Sequence, residues 1–246
     1  MAKFLTILLA EASIEPFPEE LMKDLNVRNY FSKLKKSPSE VMLDINYHKQ
    51  FMENLPDFER RGRPDIIHFT LLSCFGSILA REQRLQVIIH TVNDQVIYLD
   101  PEIRLPKSIE RFNGLFLQLF RDGRSPPNGN QVLMKLTEST LTDLMNDLRK
   151  KHDMVIEFSV KGEQLSSLEY SEIIFKSTNP LLIFGAFPHD EIQMLPRELV
   201  DRKLGIYEKG LDLFAVVSQI LASQHMIEED SLLKEKEKEK EGVSWE

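Results

Sequence analysis

The stretch Leu181-Leu182-Ile183-Phe184-Gly185-Ala186-Phe187-Pro188-His189-Asp190 decides the fold. A short, uninterrupted apolar run is what a strand buried on both faces needs. The run then meets glycine, alanine and proline, a small and turn-prone sequence. In an open α/β sheet, ligands sit beyond the carboxyl ends of the strands, and Gly185 and Ala186 let backbone approach one closely. A second element of this kind follows at Leu204-Gly205-Ile206-Tyr207-Glu208-Lys209-Gly210-Leu211. Two such loops close in sequence can wrap one small molecule, although ordinary strand–loop–helix connections look similar.

Outward from this stretch, apolar runs alternate with helical patterns. Strands are expected at Phe4–Ala10, Leu85–Thr91, Gln95–Leu99, Val132–Leu136, Met154–Val160 and Leu181–Phe187, short runs bounded by charges or turn residues. Helices are expected at Asp65–Leu79, Ile109–Phe120, Thr140–Lys151 and Leu211–Ile227. Pro64 suits the first helical position. Phe112, Leu115, Phe116, Leu119 and Phe120 share one helical face. Alternation of this kind implies a largely parallel sheet with helices on both faces. Val92-Asn93-Asp94 reads as a hairpin turn. Asp122 to Asn130, with two glycines and two prolines, reads as a loop dividing the chain into halves.

Bulk composition narrows the class. A chain of 246 residues, 42% hydrophobic, can bury one large α/β core. The net charge of −8 argues against RNA as a partner only if charge is taken globally, and only local charge touches a phosphate. Nine Arg and one Lys lie between Arg60 and Arg124, whereas Glu228 to Glu241 holds seven acids and four lysines. That acidic tail reads as a frayed helix or a disordered segment outside the core, so the expected organisation is one domain over 1–227 and a charged, flexible tail over 228–246. One cysteine, Cys74, excludes an internal disulfide and a Cys-rich metal site, and its apolar surroundings suit a buried thiol. No apolar run approaches the roughly 20 residues of a membrane span. Phe4–Ala10 is a better strand than a signal peptide.

Common enzyme signatures are missing. No G-x-G-x-x-G, no phosphate loop, no H-E-x-x-H and no G-x-S-x-G occurs. The absent glycine fingerprint counts against a nucleotide-binding oxidoreductase. His68 and His90 sit in apolar segments, where a hydrogen-bonded core histidine is the default. Two more segments stand out. In Gly62-Arg63-Pro64-Asp65-Ile66-Ile67-His68, Arg63 can project from a helix start toward a ligand, while Asp65 complements the helix dipole. Arg104, Lys107 and Arg111 are spaced three and four apart near another helix start, where the dipole disfavours cations. Phosphate binding explains them better than a solvated face.

Taken together and in order, GRPDIIHFTLLS, LQVIIHT, the Arg104/Lys107/Arg111 constellation with RFNGL, and FGAFPHD resemble the pseudouridine-N1 methyltransferases of small-subunit ribosome biogenesis. The resemblance runs from Phe4 to about Ile227. It implies a SPOUT fold, a parallel α/β sheet whose C-terminal part, 154–227, is threaded as a trefoil knot, and a homodimer. It implies S-adenosylmethionine as cofactor and small-subunit ribosomal RNA as substrate, with ribosomal proteins or assembly factors as further partners. No metal or membrane is implied. Placement is cytoplasmic, or nucleolar in a eukaryote. Carried over position by position, Arg63, Asp65, Arg104, Lys107 and Arg111 resemble the RNA-contacting set within 60–124. Gly185, Asp190 and Ile206, Tyr207, Glu208, Lys209, Gly210 and Leu211 resemble the cofactor site. The chain departs from the family at Asp190, commonly Gly, at Gly210, commonly Pro, and at Lys107, commonly Arg.

The implied chemistry is methylation of N1 of a pseudouridine. Arg63 is the candidate to stabilise the imide anion left when the N1 proton departs. Asp65 ranks first as the residue orienting Arg63 and second as the base. The rival reading is an RNA-binding assembly factor of the same fold without catalysis.

Overall fold

A computed structural model describes residues 4–128 and 131–242. In chain order its elements are β1 (Leu5–Ala12), α1 (Leu25–Leu34), α2 (Ile45–Met52), α3 (Pro64–Gly76), α4 (Ile78–Arg81), β2 (Leu85–Thr91), β3 (Gln95–Leu99), α5 (Ile109–Asp122), β4 (Arg124–Ser125), β5 (Met134–Glu138), α6 (Leu141–Arg149), β6 (Met154–Gln164), α7 (Ser167–Lys176), β7 (Pro180–Gly185), β8 (Arg202–Gly205) and α8 (Leu213–Gly242). Short 3-10 turns lie between some of them.

The strands form one sheet in the order β4-β5-β3-β2-β1-β7-β6-β8. From β2 to β8 every pairing is parallel. β3, β5 and β4 continue the sheet by antiparallel pairing, so the sheet is mixed. The antiparallel edge begins at the Val92–Asp94 hairpin, where Asp94 adopts a φ of +54°. β1 lies at the centre and is buried along its whole length, which explains its unbroken apolar run.

Helices cover both faces. On one, Ile67 and Leu71 of α3, Phe112, Phe116 and Leu119 of α5, Tyr170 and Ile174 of α7, and Val217 and Ile220 of α8 pack on alternate strand residues such as Ile7, Leu9 and Leu182. On the other, Leu141, Leu144, Met145 and Leu148 of α6 pack on Leu8, Ile88 and Ile183, together with Phe187, Ile192 and Leu195 from the segment after β7. A third cluster, built on Phe17, Phe31, Leu43, Phe51 and Met52, sits under α1 and α2. Each of those two helices is capped by an aspartate, Asp24 or Asp44, accepting a backbone N–H two residues on.

Four expectations need correction. The strand expected at Val132–Leu136 is Met134–Glu138, because Leu133 serves instead to close the loop through Ser125. The loop expected at Asp122 to Asn130 contains β4, paired with β5, and its last two residues, Gly129 and Asn130, lie outside the described residues. Leu204-Gly205 is not loop but the end of β8. The segment 228–242 continues α8 as helix rather than departing from it; 243–246 lie outside the described residues. Lys and Glu are good helix formers, Lys234 pairs with Asp230 at 2.6 Å one turn away, and Glu228 is held by Arg84 at 2.8 Å. Among the described residues no helix is long and apolar enough to cross a membrane.

Candidate functional site

β6, β7 and β8 run parallel, so their carboxyl ends open on one rim. Close approach there depends on glycine. The β6–β8 pairing shifts register between Phe158 and Glu163, which expels the intervening residues from the ladder. A Cβ on Gly162 would lie 2.3 Å from the Leu204 carbonyl carbon, so only glycine lets β8 return this near. The bulge delivers Ser159, Val160 and Lys161 to a cleft of about 510 Å³. That volume falls within the roughly 300–1,000 Å³ of small-molecule sites.

The other walls come from the two loops read from the sequence. Gly185, Asp190, Ile206, Tyr207, Lys209, Gly210 and Leu211 all line the cleft, and Arg63 reaches it from the start of α3. Glu208 is exposed and does not line it. Asp190 sits at a φ of +78°, left-handed backbone that suits the glycine common in the family. Glycine at 210 has open space where a Cβ would stand.

Arg63 precedes Pro64, the first residue of α3. Its guanidinium is held bidentately by Asp65, with Nε and Nη2 each 2.8 Å from a carboxylate oxygen. This contact raises the Arg63 pKa above its ordinary value, with the Asp65 hydrogen bonds as the leading cause. Asp65 therefore spends its carboxylate on the guanidinium, not on the free N–H groups of the helix. Arg60 and Arg61, counted with the basic segment in the sequence, turn inward. Arg61 makes a bidentate pair with Glu15 at 2.6–2.7 Å, and Arg60 pairs with Glu11 at 2.5 Å.

Arg104, Lys107 and Arg111 are exposed and make no ion pair among the described residues. They flank Ser108, the residue before α5; Arg104 and Lys107 lie on the loop that His68 ties to α3, and Arg111 lies in the first turn of α5. His68 is buried, and its Nε2 donates to the Pro106 carbonyl at 2.9 Å, so it acts as a core histidine. His90 is also buried, 3.1 Å from Asp94. Cys74 is buried and its thiol is pushed up to about 12, which makes it inert. Among the described residues no group of His, Cys, Asp and Glu could hold a metal ion.

Sequence reading missed the charges around the cleft. Glu157, fully buried in β6, pairs with Arg197 and lies 3.5 Å from Lys203. Glu191 accepts from Lys203 at 2.6 Å and from Lys161 and Ser159 at 3.2 Å. Lys203 is the main cause that holds the Glu191 carboxyl down at about 2. The available signal was Glu157 itself, a charge inside the apolar run Met154–Val160.

Residues 7–225 match the family described as EMG1/NEP1 methyltransferase. The chain belongs to that family. Among relatives, it is 36% identical to the ribosomal RNA small subunit methyltransferase Nep1 of Thermococcus kodakarensis, over 89% of this chain and 96% of that one. Identity to the Nep1 of Thermococcus onnurineus is 35%, over 88% and 96%. Identity to that of Pyrococcus furiosus is 34%, over 91% and 97%. The crystal structure of Archaeoglobus fulgidus Nep1 bound to S-adenosylhomocysteine superposes with a TM-score of 0.77 at 28% identity, covering 92% of this chain and 99% of that one. The SPOUT expectation for the fold holds, with the sheet mixed and predominantly parallel.

Proposed function

We propose that the chain methylates N1 of a pseudouridine in small-subunit ribosomal RNA, using S-adenosylmethionine, as a step in small-subunit biogenesis. The observation that carries this reading is that Arg63 and the two loops after β7 and β8 line one cleft. The residues present fit the cofactor. Ile206, Leu211, Leu213 and Val216 offer apolar wall for a purine, and Asp190 and Asp212 offer acids to a ribose and an ammonium group. When bound, the cofactor supplies an electrophilic methyl group.

The chain's own residues then handle the RNA base. A base must leave its stack to reach this rim. Arg63 faces the anion that develops as N1 loses its proton, and a preorganised cation is worth most in a partly dry cleft. Asp65 fixes the guanidinium plane through two bonds, which makes it a poor base and a good orienting group. Arg104, Lys107 and Arg111, which make no ion pair among the described residues, hold flanking phosphates and set the register of the RNA without specifying sequence.

The reading also includes the trefoil knot and the homodimer. The knot is supported by membership of the family and by the likeness to the Archaeoglobus fulgidus Nep1 structure. The dimer is supported by an exposed apolar pair, Phe69 of α3 and Phe214 of α8, with ring centroids 5.8 Å apart.

A short small-subunit RNA hairpin tests the function. Mass spectrometry should find one added methyl when the hairpin carries pseudouridine and none when it carries uridine, whose N1 is bonded to ribose. Methyl transfer to both at similar rates refutes the N1 assignment. Binding of RNA and cofactor without transfer to either leaves an assembly factor in its place.

A further inference from the structure

The end of β1 touches both halves of the proposed site. The strand loses register with β2 between Leu9 and Ala12, where Glu11 takes a φ of +50°. A left-handed residue other than glycine persists only where its surroundings over-determine it. Here they do. The Glu11 carboxylate accepts the backbone N–H of Met194 at 2.7 Å and that of Gln193 at 2.9 Å, and it pairs with Arg60 at 2.5 Å. Arg60 in turn lies over the Phe187 ring, 3.9 Å from its centroid. Two residues on, Ser13 is fully buried. Its N–H donates to the Ala186 carbonyl at 2.9 Å, next to Gly185 on the cleft wall. Its Oγ and carbonyl both accept the Arg63 N–H, at 2.9 and 3.2 Å.

Residues 60–63 and 186–194 are thus each fastened to residues 11–13. The first segment presents Arg63; the second lines the cofactor side of the cleft. The strand end bonds to both.

We infer that Ser13, supported by Glu11, is a positioning residue for methyl transfer: it holds the Arg63 start of α3 at a fixed offset from the loop after β7. This rests on the proposed function above. Ser13 is not among the residues lining the cleft, so its effect on the reaction passes through Arg63 and Ala186. Misplacement of a reacting pair by a fraction of an ångström to 1 Å lowers the rate of the chemical step by one to two orders of magnitude while binding persists.

Ser13→Ala removes only the hydroxyl and leaves the Arg63 N–H its longer bond to the Ser13 carbonyl. Its kcat should fall about tenfold, with KM for the pseudouridine hairpin and for S-adenosylmethionine changed by no more than about twofold. A second readout needs no turnover. S-adenosylhomocysteine should raise hydrogen-exchange protection of the Arg63 amide by roughly fivefold in the wild-type chain. In Ser13→Ala that rise should vanish, although calorimetry still finds S-adenosylhomocysteine binding within about twofold of wild type. Should Ser13→Ala fail to fold, Glu11→Gln is read by the same two measurements, since it weakens the hold on Arg60 and keeps an oxygen for Gln193 and Met194. A merely structural serine lowers Tm but leaves kcat and the exchange response of the folded protein alone, and that result overturns the inference. A wild-type chain that transfers no methyl overturns the function itself, and with it the catalytic part of the link.

Discussion

Replacing Gly185 by alanine probes the floor of the cleft most directly. An added Cβ would stand 2.6 Å from Cζ and 2.9 Å from Cε1 of Phe187, inside any real contact distance. The ring cannot swing freely, because it is 9% exposed, belongs to the core under α6 and carries the Arg60 guanidinium on its face. Overpacking of this kind costs about 1–3 kcal/mol. For a chain of this size each kcal/mol moves Tm by about 2–4 °C, so Gly185→Ala should melt roughly 2–12 °C lower. Calorimetric affinity for S-adenosylmethionine should fall as well, since the displaced ring lines the cleft. Phe187→Leu removes the ring atoms that clash. The double variant should therefore recover part of the stability lost by Gly185→Ala, a non-additivity expected only of side chains in contact. A wild-type Tm for Gly185→Ala, or strict additivity in the double variant, refutes the reasoning.

Asp190→Gly relieves left-handed backbone and should stabilise the chain by about 1 kcal/mol, read as a higher urea midpoint; a loss of stability would mean that the carboxylate matters more than the φ. Arg104→Ala or Arg111→Ala should weaken hairpin binding by about 1–3 kcal/mol and flatten its salt dependence, with cofactor affinity and Tm unchanged; full RNA affinity at moderate salt contradicts the phosphate role. Burial lowers the pKa of His48, His90 and His152 below 6.5. Below that value the unfolded chain binds protons that the folded chain refuses, so stability should be complete above about pH 6.5 and decline as the pH falls toward the lowered values. Denaturant midpoints that stay flat from pH 7.5 to 5.5 would contradict this.

Much of this fold was legible because its strands are buried on both faces, because α5 and α6 carry one apolar stripe, and because α3 and the start of α8 are apolar runs too long for strands. β1, β2, β3, β6 and β7, and helices α3, α5, α6 and α8, follow directly from those patterns. α1, α2 and α7 did not, since they are short and weakly amphipathic, and α1 and α2 lean on tertiary neighbours such as Phe17 and Leu43. β8 was hidden because Arg202 and Lys203 open it: an edge strand can expose charge on a strand that a sheet centre would reject. The cleft residues contributed by the two small-residue loops were readable from local chemistry and from the resemblance. Glu157, Glu191 and Lys203 were not, because their partners lie 12 to 46 residues away and only the sheet register brings them together.

The central place of β1 has a consequence for synthesis. Residues Leu5–Ala12 leave the ribosome before the other strands of the sheet, and β2 can pair with one edge of them about seventy residues later. The other edge waits for β7, about 170 residues after β1. At roughly 5–20 residues per second, the nascent chain carries an apolar, unpaired strand edge for about 8–34 s. During that interval the strand is a template for any passing β-segment, including that of a neighbouring nascent copy. Production of this protein is thus expected to depend on chaperone capture of its amino-terminal half, and slow translation between residues 91 and 185 should raise the insoluble fraction.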